Sequence, residues 1–261
     1  MLQSLISSAL RAGGAIMTVH ATDFAVRDKP DASPVTVADE AAEKIILEDL
    51  AVIAPDVPVV AEESVSSGKV PVLHGSADRF FLVDPLDGTR EFVSRRDEFT
   101  VNIALIENGE PVMGVVYAPA RHELYWGDVK TRRAGRIDAE PDGTMPALGE
   151  TISARRPPAQ GLVAVASRSH RSPETDAWLA NYPVTEFRSI GSSLKFCLVA
   201  TGEADIYPRL GPTMEWDTAA GHAVLVAAGG RVTTLEGAPF RYGKPGFRNG
   251  NFVAQGLEGR D

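Results

Sequence analysis

The stretch from residue 80 to residue 92 restricts the fold of this chain more than any other. Its four apolar residues, Phe80 to Val83, predict a strand that is buried on both faces, and this strand stops abruptly at Asp84. Asp84 and Asp87 stand three residues apart around a proline-stiffened bend, so both carboxylates can point into one small space. There they repel each other unless a cation lies between them. The stretch therefore predicts a buried sheet with a hard divalent metal site at the end of one strand.

The two residues after Asp87 predict an anion site beside that metal. Gly88 lets the backbone come close to a ligand, and Thr89 stands where a new helix would start, with a hydroxyl and free amide groups that suit phosphate. The alternative is an ordinary Asp-Pro turn in which Asp87 or Thr89 only caps a helix. Taken alone, this short motif favours the alternative, so the rest of the chain has to decide between the two.

Length, composition and charge limit the class of protein. The chain has 261 residues, of which 44% are hydrophobic, enough for a soluble globular protein with one large domain or two lobes that share a core. Its net charge of −9 and pI of about 5.1 argue against a general polyanion-binding surface, so nucleic acid is not expected as a partner. One cysteine excludes intramolecular disulfides, and no cysteine and histidine cluster has zinc spacing. Residues 1–20 have the features of neither a signal peptide nor a membrane span, so the sequence predicts a cytoplasmic protein.

The hydrophobic pattern predicts an α/β protein whose two halves differ. Helices over residues 2–16 and after Asp39, a short strand at 58–61 and a hairpin at 99–118 indicate helices packed on a mostly antiparallel sheet. In the second half strands alternate with helices, which indicates α/β layering. Residues 127–150 are either a long hairpin or a boundary. We therefore expect a single catalytic unit with two lobes, approximately residues 1–150 and 151–261, and an active site between them.

Several charged residues have an ordinary structural interpretation beside a functional one. Asp39 and Asp217 each stand near the start of a helix, where a carboxylate interacts favourably with the helix dipole or caps free amides. In the helix predicted over residues 191–200, Cys197 lies on the apolar stripe and is expected in the core. Lys195 lies off that stripe, so we expect it to be free for solvent or for a ligand.

Three motifs, far apart and in a consistent order, decide between these interpretations. The segments Glu62-Glu63-Ser64, Asp84-Pro85-Leu86-Asp87-Gly88-Thr89 and Trp216-Asp217-Thr218-Ala219-Ala220-Gly221 resemble the signatures of the lithium-sensitive, magnesium-dependent sugar-phosphate phosphatases, the inositol monophosphatase superfamily. Within it, the chain is similar along nearly its whole length to the bacterial CysQ-type 3'(2'),5'-bisphosphate nucleotidases. The resemblance implies a layered α/β/α/β/α fold and hydrolysis of adenosine 3',5'-bisphosphate to AMP and phosphate. The resemblance also implies that related bisphosphates, including the sulfated nucleotide PAPS, are substrates.

The resemblance also assigns metal-binding and catalytic roles to single residues. It implies two or more Mg²⁺ ions in an all-oxygen site, the ligand set that suits a hard cation. The implied ligands are four carboxylates and one backbone carbonyl: Glu62, Asp84, Asp87, Asp217 and the carbonyl of Leu86. Asp39, Thr89 and Glu62 form the catalytic set, in which Asp39 and Thr89 orient and deprotonate the water that attacks phosphorus in line. Glu63 is expected to support the site without binding metal itself.

Substrate recognition is expected to involve residues outside the metal motifs. Lys195 and Arg209 are expected near the second phosphate or the sugar, and His170 near the base, where an imidazole could stack on adenine. Ser192 precedes a helix and could present amides to an anion. The complete substrate-binding set implied by the resemblance is Glu62, Leu86, Asp87, Gly88, Thr89, His170, Ser192, Lys195, Arg209 and Asp217.

Two other functions stay open at this point. An inositol or sugar monophosphatase would keep the metal residues but would not call for the set of His170, Lys195 and Arg209. A non-catalytic nucleotide-binding sensor would keep the fold without turnover. The sequence leaves open whether the protein is a monomer or a homodimer, and whether it associates loosely with the inner membrane although it has no integral membrane segment.

Overall fold

The structure is a computed structural model that describes residues 1–28, 34–73, 79–144, 147, 149–167 and 172–257. The helices in this part are α1 (Leu2–His20), α2 (Val37–Ile53), α3 (Glu62–Ser66), α4 (Thr89–Val93), α5 (Pro173–Leu179), α6 (Leu194–Ala200) and α7 (Ala219–Ala227), with 3₁₀ turns at Pro119–Arg121 and Pro245–Phe247. The strands are β1 (Val26–Asp28), β2 (Pro34–Thr36), β3 (Val59–Ala61), β4 (Arg79–Asp87), β5 (Thr100–Glu107), β6 (Glu110–Ala118), β7 (Glu123–Asp128), β8 (Arg133–Asp138), β9 (Glu150–Thr151), β10 (Leu162–Ser167), β11 (Val184–Ile190), β12 (Ile206–Arg209), β13 (Thr213–Met214), β14 (Arg231–Thr234), β15 (Arg248–Asn249) and β16 (Phe252–Gln255).

The first half of the chain forms a seven-stranded sheet in the order β3-β4-β5-β6-β7-β8-β9. Its strands are antiparallel except for β3 and β4, which run parallel. The turn between β5 and β6 has positive φ angles at Asn108 and Gly109, as a two-residue hairpin turn requires, so the predicted hairpin is confirmed. Residues 127–138 continue the same sheet through β7 and β8, and the short strand β9 pairs with β8.

The central strand β4 is buried on both faces, as its apolar run predicts. Phe81 and Val83 face a core formed with α1 and α2, while Phe80 and Leu82 face a second core on the other side of the sheet. In α1, Leu5, Ala9 and Ile16 recur at helical spacing and are fully buried in the first core. The sheet therefore has two buried faces, one of them covered by α1 and α2.

The second half forms a five-stranded mixed sheet in the order β11-β10-β12-β16-β14. Helices α6 and α7 lie between the two sheets, and α5 packs on the outer face, where Leu179 contacts Ala164 and Val253. The layers are therefore α/β/α/β/α, and the predicted fold class is confirmed. No helix in the described part of the chain is both long enough and apolar enough to cross a bilayer.

Small residues allow α7 to lie very close to the first sheet. A Cβ atom added to Gly114 of β6 would lie 2.4 Å from the Ala220 carbonyl oxygen, and one added to Gly127 of β7 would lie 2.7 Å from the Val224 Cα atom. No side chain fits in this space, so these two glycines and the alanine-rich sequence of α7 determine the separation of the layers. Asp217, which lies two residues before α7, is therefore held beside the first sheet.

Candidate active site

Parallel pairing of β3 and β4 brings two acidic segments together. Ala61 is the register partner of Val83, so the residues that follow them, Glu62 and Asp84, lie side by side at the same end of the strand pair. The sequence predicts a strand that stops at Asp84 but a mostly antiparallel sheet. The parallel pair explains how residues 22 positions apart in the chain reach the same site.

The acidic side chains at this edge raise one another's pKa. Burial, followed by the charges of Glu62, Asp87 and Asp217, raises the pKa of Asp84 well above its ordinary value. Burial and the charges of Asp87 and Glu62 likewise raise the pKa of Asp217. Asp84 also accepts a hydrogen bond from the Leu86 backbone N–H at 3.0 Å, within the irregular part of β4 between Asp84 and Asp87. Glu62, Asp84, Asp87 and Asp217 thus form one electrostatic cluster, whose repulsion a cation among them would relieve.

The turn after Asp87 has the glycine that its geometry requires. Gly88 has φ 90° and ψ 38°, in the left-handed region, and immediately precedes α4. A Cβ atom there would also lie only 3.0 Å from the Glu98 carbonyl oxygen. Neither Asp87 nor Thr89 is the helix cap, since Gly88 occupies that position and Thr89 is the first helical residue. The ordinary capping interpretation of this motif is therefore wrong.

Asp39 combines a capping role with a position at the site. Its Oδ2 atom accepts hydrogen bonds from the Thr36 backbone N–H at 2.7 Å and the Thr36 hydroxyl at 2.8 Å. The first of these bonds is one half of a capping box at the start of α2, in which the Thr36 side chain in turn accepts a backbone N–H of the first helical turn. The Asp39 Oδ1 atom accepts a hydrogen bond from the Thr89 hydroxyl at 3.3 Å. That hydroxyl also lies 3.2 Å from the Leu86 carbonyl oxygen. The Asp39 carboxylate and the Thr89 hydroxyl are thus in direct contact. A carboxylate and a hydroxyl need such a contact in order to orient one water molecule together.

Ser192 connects the second half of the chain to Asp87. Its hydroxyl donates a hydrogen bond to Asp87 Oδ2 at 2.7 Å and lies 2.5 Å from the Thr100 hydroxyl. Helix α6 begins at Leu194, three residues later than predicted, because residues 191–193 form a turn in which Ser192 has φ 56°. In that turn the Gly191 N–H donates to Glu98 Oε2 at 2.8 Å. The turn therefore fixes the Ser192 side chain toward Asp87.

The sequence leaves Lys195 free for solvent or for a ligand, and the structure excludes the first alternative because the residue is buried. Only 5% of its surface is exposed, and its Nζ atom donates a hydrogen bond to the Ser192 carbonyl oxygen. Nζ also lies 5.5 Å from the centre of the Tyr207 ring. Burial lowers the pKa of Lys195 to about 8, and the charge of Asp87 opposes this shift. The solvent alternative fails because α6 lies between two sheets and is buried on almost every side.

Arg209 and Asp217 complete the wall on the second half of the chain. Arg209 donates a hydrogen bond from Nη2 to the Pro212 carbonyl oxygen at 3.0 Å, while its buried Nε atom has no hydrogen-bond partner among the described residues. Asp217 accepts a hydrogen bond from the Met214 backbone N–H at 2.8 Å, and the cap residue of α7 is Thr218. The interpretation of Asp217 as an ordinary helix cap is therefore wrong.

These residues line one cavity of about 280 Å³. Of the residues predicted from the sequence, the cavity lining contains Glu62, Asp87, Gly88, Thr89, Ser192, Lys195, Arg209 and Asp217. Asp39, Asp84 and Leu86 are not part of the lining and lie behind it, in contact with residues that are. His170 lies outside the described residues.

Three buried acidic residues near the cavity were not singled out from the sequence. Glu43 contacts the segment that follows Glu62, Glu98 accepts the Gly191 N–H, and Glu91 lines the cavity. Glu43 follows Asp39 by four residues on α2, so helical spacing could have identified it. Glu63 lines a separate cleft beside α2, on a different side from Glu62. The side chains of Glu62 and Glu63 diverge because the two residues are consecutive at the start of helix α3.

The donor set fits a hard divalent cation. All side-chain donors are carboxylates, they raise one another's pKa, and no described cysteine or histidine lines the cavity. Within the described residues, no three or more histidine, cysteine or acidic side chains already stand together in a metal-binding arrangement. A divalent cation would attract these carboxylates and offset the charge repulsion among them.

Sequence comparison identifies the class of protein. The sequence profile described as the inositol monophosphatase family matches residues 1–259, and the chain belongs to this family. The family membership that the three motifs predict is therefore confirmed.

Particular relatives narrow the class. The chain is 45% identical over 256 residues to the 3'(2'),5'-bisphosphate nucleotidase CysQ of Salmonella typhimurium, covering 95% of this chain and 98% of the relative. It is 44% identical to the protein of the same name from Escherichia coli K12, with the same coverage. Among solved structures, CysQ from Bacteroides thetaiotaomicron has a TM-score of 0.81 at 36% identity, covering 98% of this chain and 97% of that one. An inositol monophosphatase from Anabaena has a TM-score of 0.75 at 26% identity, covering 98% of this chain and 90% of that one.

Proposed function

We propose that this protein is a magnesium-dependent 3'(2'),5'-bisphosphate nucleotidase. It would hydrolyse the 3'-phosphate of adenosine 3',5'-bisphosphate to give AMP and phosphate, with PAPS as a second substrate, and so recycle nucleotides from sulfur assimilation. The observation that carries the proposal is that one cavity is lined by the acidic group of Glu62, Asp87 and Asp217 and by cations that include Lys195 and Arg209. The names of its relatives at 44–45% identity support the same substrate.

The acidic group would hold Mg²⁺. Glu62, Asp84, Asp87 and Asp217 provide carboxylate oxygens, and the Leu86 carbonyl oxygen lies next to the Thr89 hydroxyl at the same edge. When bound, Mg²⁺ supplies positive charge that stabilises the transferring phosphoryl oxygens and the attacking and leaving groups. The repulsion among the carboxylates would be relieved by the ion, so each of them contributes to metal affinity.

Asp39 and Thr89 would activate the attacking water. The Thr89 hydroxyl donates to Asp39 Oδ1 and keeps lone pairs that can accept a hydrogen bond from water in the cavity. Asp39 can then accept a proton through that hydroxyl, while Thr36 holds its other oxygen in place. General-base catalysis contributes about 10²–10⁴-fold, so this pair supplies only part of the acceleration of phosphate monoester hydrolysis.

Lys195 and Arg209 would select a substrate with a second phosphate. The net charge of the protein is −9, so an anionic nucleotide has to be bound by local cations. Arg209 has a buried Nε atom with no partner among the described residues, a donor that a phosphate oxygen would satisfy. Ser192 holds Asp87 and would contribute to the same wall. The reacting phosphate would lie near Gly88 and Thr89, at the start of α4.

A phosphate-release panel in Mg²⁺ tests the proposal. The panel compares adenosine 3',5'-bisphosphate, PAPS, inositol 1-phosphate and fructose 1,6-bisphosphate at matched concentrations. We expect the highest kcat/KM with adenosine 3',5'-bisphosphate. A higher value with inositol 1-phosphate would show a monophosphatase instead, and binding of the bisphosphate without phosphate release would show a nucleotide sensor.

A further inference from the structure

We propose that Glu43 is a positioning residue that fixes the direction of Glu62 toward the cavity, and that Ser64 is its hydrogen-bonding partner. The inference rests on the proposed function, in which Glu62 holds Mg²⁺. It gives a role to the third residue of the Glu62-Glu63-Ser64 motif, whose side chain does not line the cavity.

Both carboxylate oxygens of Glu43 bind the segment that carries Glu62. Oε2 accepts a hydrogen bond from the Glu63 backbone N–H at 2.8 Å, and Oε1 accepts one from the Ser64 hydroxyl at 2.6 Å. Glu43 is only 6% exposed, although it belongs to α2, 20 residues earlier in the chain. One side chain on a long helix therefore holds both the backbone and a side chain of the short helix α3.

Helix α3 needs such a contact because it is short. It has five residues, and its cap residue, Ala61, has no side chain that can accept a hydrogen bond from the first turn. The free N–H groups of a first helical turn require acceptors from elsewhere. Glu43 supplies one of these acceptors from a neighbouring helix.

The charges around Glu62 make its position costly to maintain. Glu62 lies close enough to Asp84 and Asp217 for its charge to raise the pKa of both. Like charges at such distances repel, while a side-chain hydrogen bond between Glu62 and Asp84 holds the two together, so rotation of Glu62 away from the cavity would break that contact. Anchoring of the next two residues by Glu43 limits that movement, because the backbone after Glu62 can no longer rotate freely.

Glu43 also connects the two parts of the site. Asp39 and Glu43 are four residues apart on α2 and therefore lie on the same face of the helix. Asp39 contacts Thr89, and Glu43 contacts Glu63 and Ser64. A single rigid helix thus sets the distance between the proposed base and the metal ligand Glu62.

The test measures Mg²⁺ affinity by calorimetry in the absence of substrate, with Mn²⁺ binding followed by electron paramagnetic resonance as a second readout. Glu43→Met keeps the side-chain length but removes both acceptors, and we expect it to weaken metal binding by about 10- to 100-fold, as loss of a supporting residue does in metal sites. Glu43→Gln keeps one acceptor for the Glu63 N–H and gains a donor for the Ser64 hydroxyl, so it should recover most of the affinity.

Two further variants separate positioning from general stability. Asp205→Asn is the matched control, because Asp205 is also a buried carboxylate that accepts a backbone N–H, from Val163, and it does not line the cavity. It should lower the melting temperature without changing metal affinity. Ser64→Ala removes only one of the two contacts of Glu43 and should weaken metal binding by about 10-fold, the lower end of the expected range.

The outcomes distinguish this inference from the proposed function. Unchanged metal affinity in folded Glu43→Met would overturn the inference, as would unchanged affinity in Ser64→Ala if the Met variant does not fold. Equal losses in Glu43→Met and Asp205→Asn would also overturn it, since the effect would then follow stability alone. A wild-type protein that binds Mg²⁺ but does not hydrolyse the bisphosphate would contradict the proposed function, whereas the metal affinities would still decide the role of Glu43.

Discussion

Replacement of Arg209 by methionine should separate recognition of the second phosphate from hydrolysis of the first. Arg209 lies at the end of β12 and lines the cavity, and its Nη2 atom donates a hydrogen bond to the Pro212 carbonyl oxygen. Its charge lowers the pKa of Asp217, but burial and the charges of Asp87 and Glu62 have larger, opposite effects. The side chain is therefore well placed to bind substrate while contributing little to the metal cluster.

The size of the effect follows from the strength of the lost contact. A hydrogen bond to a charged group contributes about 1.5–3 kcal/mol when it is shielded from water, and about 1.4 kcal/mol corresponds to a factor of ten. If Arg209 holds the 5'-phosphate in both the bound substrate and the transition state, its loss removes uniform binding. KM for adenosine 3',5'-bisphosphate should then rise roughly 10- to 100-fold with little change in kcat.

The assay compares two substrates that differ only in the phosphate in question. Steady-state kinetics with adenosine 3',5'-bisphosphate and with adenosine 3'-monophosphate, both in saturating Mg²⁺, should show the loss for the bisphosphate alone. Arg136→Met is the matched control, since Arg136 is also half-buried but pairs with Glu123 away from the cavity. Equal losses on both substrates would refute the argument, because Arg209 would then serve the reacting phosphate or the fold.

Three further outcomes test the site and the fold. Asp87→Asn should abolish turnover in Mg²⁺ and also lower the melting temperature, because the variant removes the negative charge that lies beside the buried Lys195; near wild-type kcat would contradict the metal assignment. Burial lowers the pKa of His222 to about 3, so from about pH 6.5 down to about pH 3 the unfolded chain binds a proton that the folded protein does not. Urea unfolding should therefore show pH slopes that differ between the wild type and His222→Gln by about 1.4 kcal/mol per pH unit in this window, with the wild type losing more stability on acidification, and equal slopes would contradict the assignment. Gly114→Ala should destabilise the protein by about 1–3 kcal/mol in the same assay, since its Cβ would meet Ala220, whereas the same substitution at Gly250, which has open space and no positive φ angle, should lack that clash.

Most of the fold could be predicted from the sequence because its signals are local. The apolar run of β4, the turn at Asn108 and Gly109, and the Ser172 cap of α5 each specify one element through nearby residues. The parallel pairing of β3 with β4 could not be predicted in this way, because it depends on contacts between segments more than 20 residues apart. That pairing brings Glu62 to Asp84 and is the basis of the site.

Misinterpretations of the site have the same origin. Asp217 precedes a helix in the sequence, but its side chain turns back to accept the Met214 N–H, and only the three-dimensional path of residues 213–218 reveals this. Glu43 has the spacing of a residue on the same face as Asp39, yet nothing local shows that α3 would lie beside it. The motifs predict which residues serve the chemistry, whereas the contacts that hold those residues in place became visible only in the structure.

Lys195 shows why the sequence alone left the solvent alternative open at this position. The apolar stripe of α6 suggested a helix with one buried and one solvated face, but this helix packs between two sheets and near α7, so its second face is buried too. A lysine on that face loses hydration, a cost that must be offset by nearby acceptors and negative charge. Asp87 provides the negative charge, and the Ser192 carbonyl oxygen provides the hydrogen-bond acceptor. The buried position is therefore unfavourable for a lysine in itself, but it places the Lys195 charge beside the acidic cluster. Unlike Arg209→Met, a Lys195→Met variant should therefore impair hydrolysis of both the bisphosphate and the monophosphate, because it removes a charge that Asp87 requires as well as one that the substrate would use.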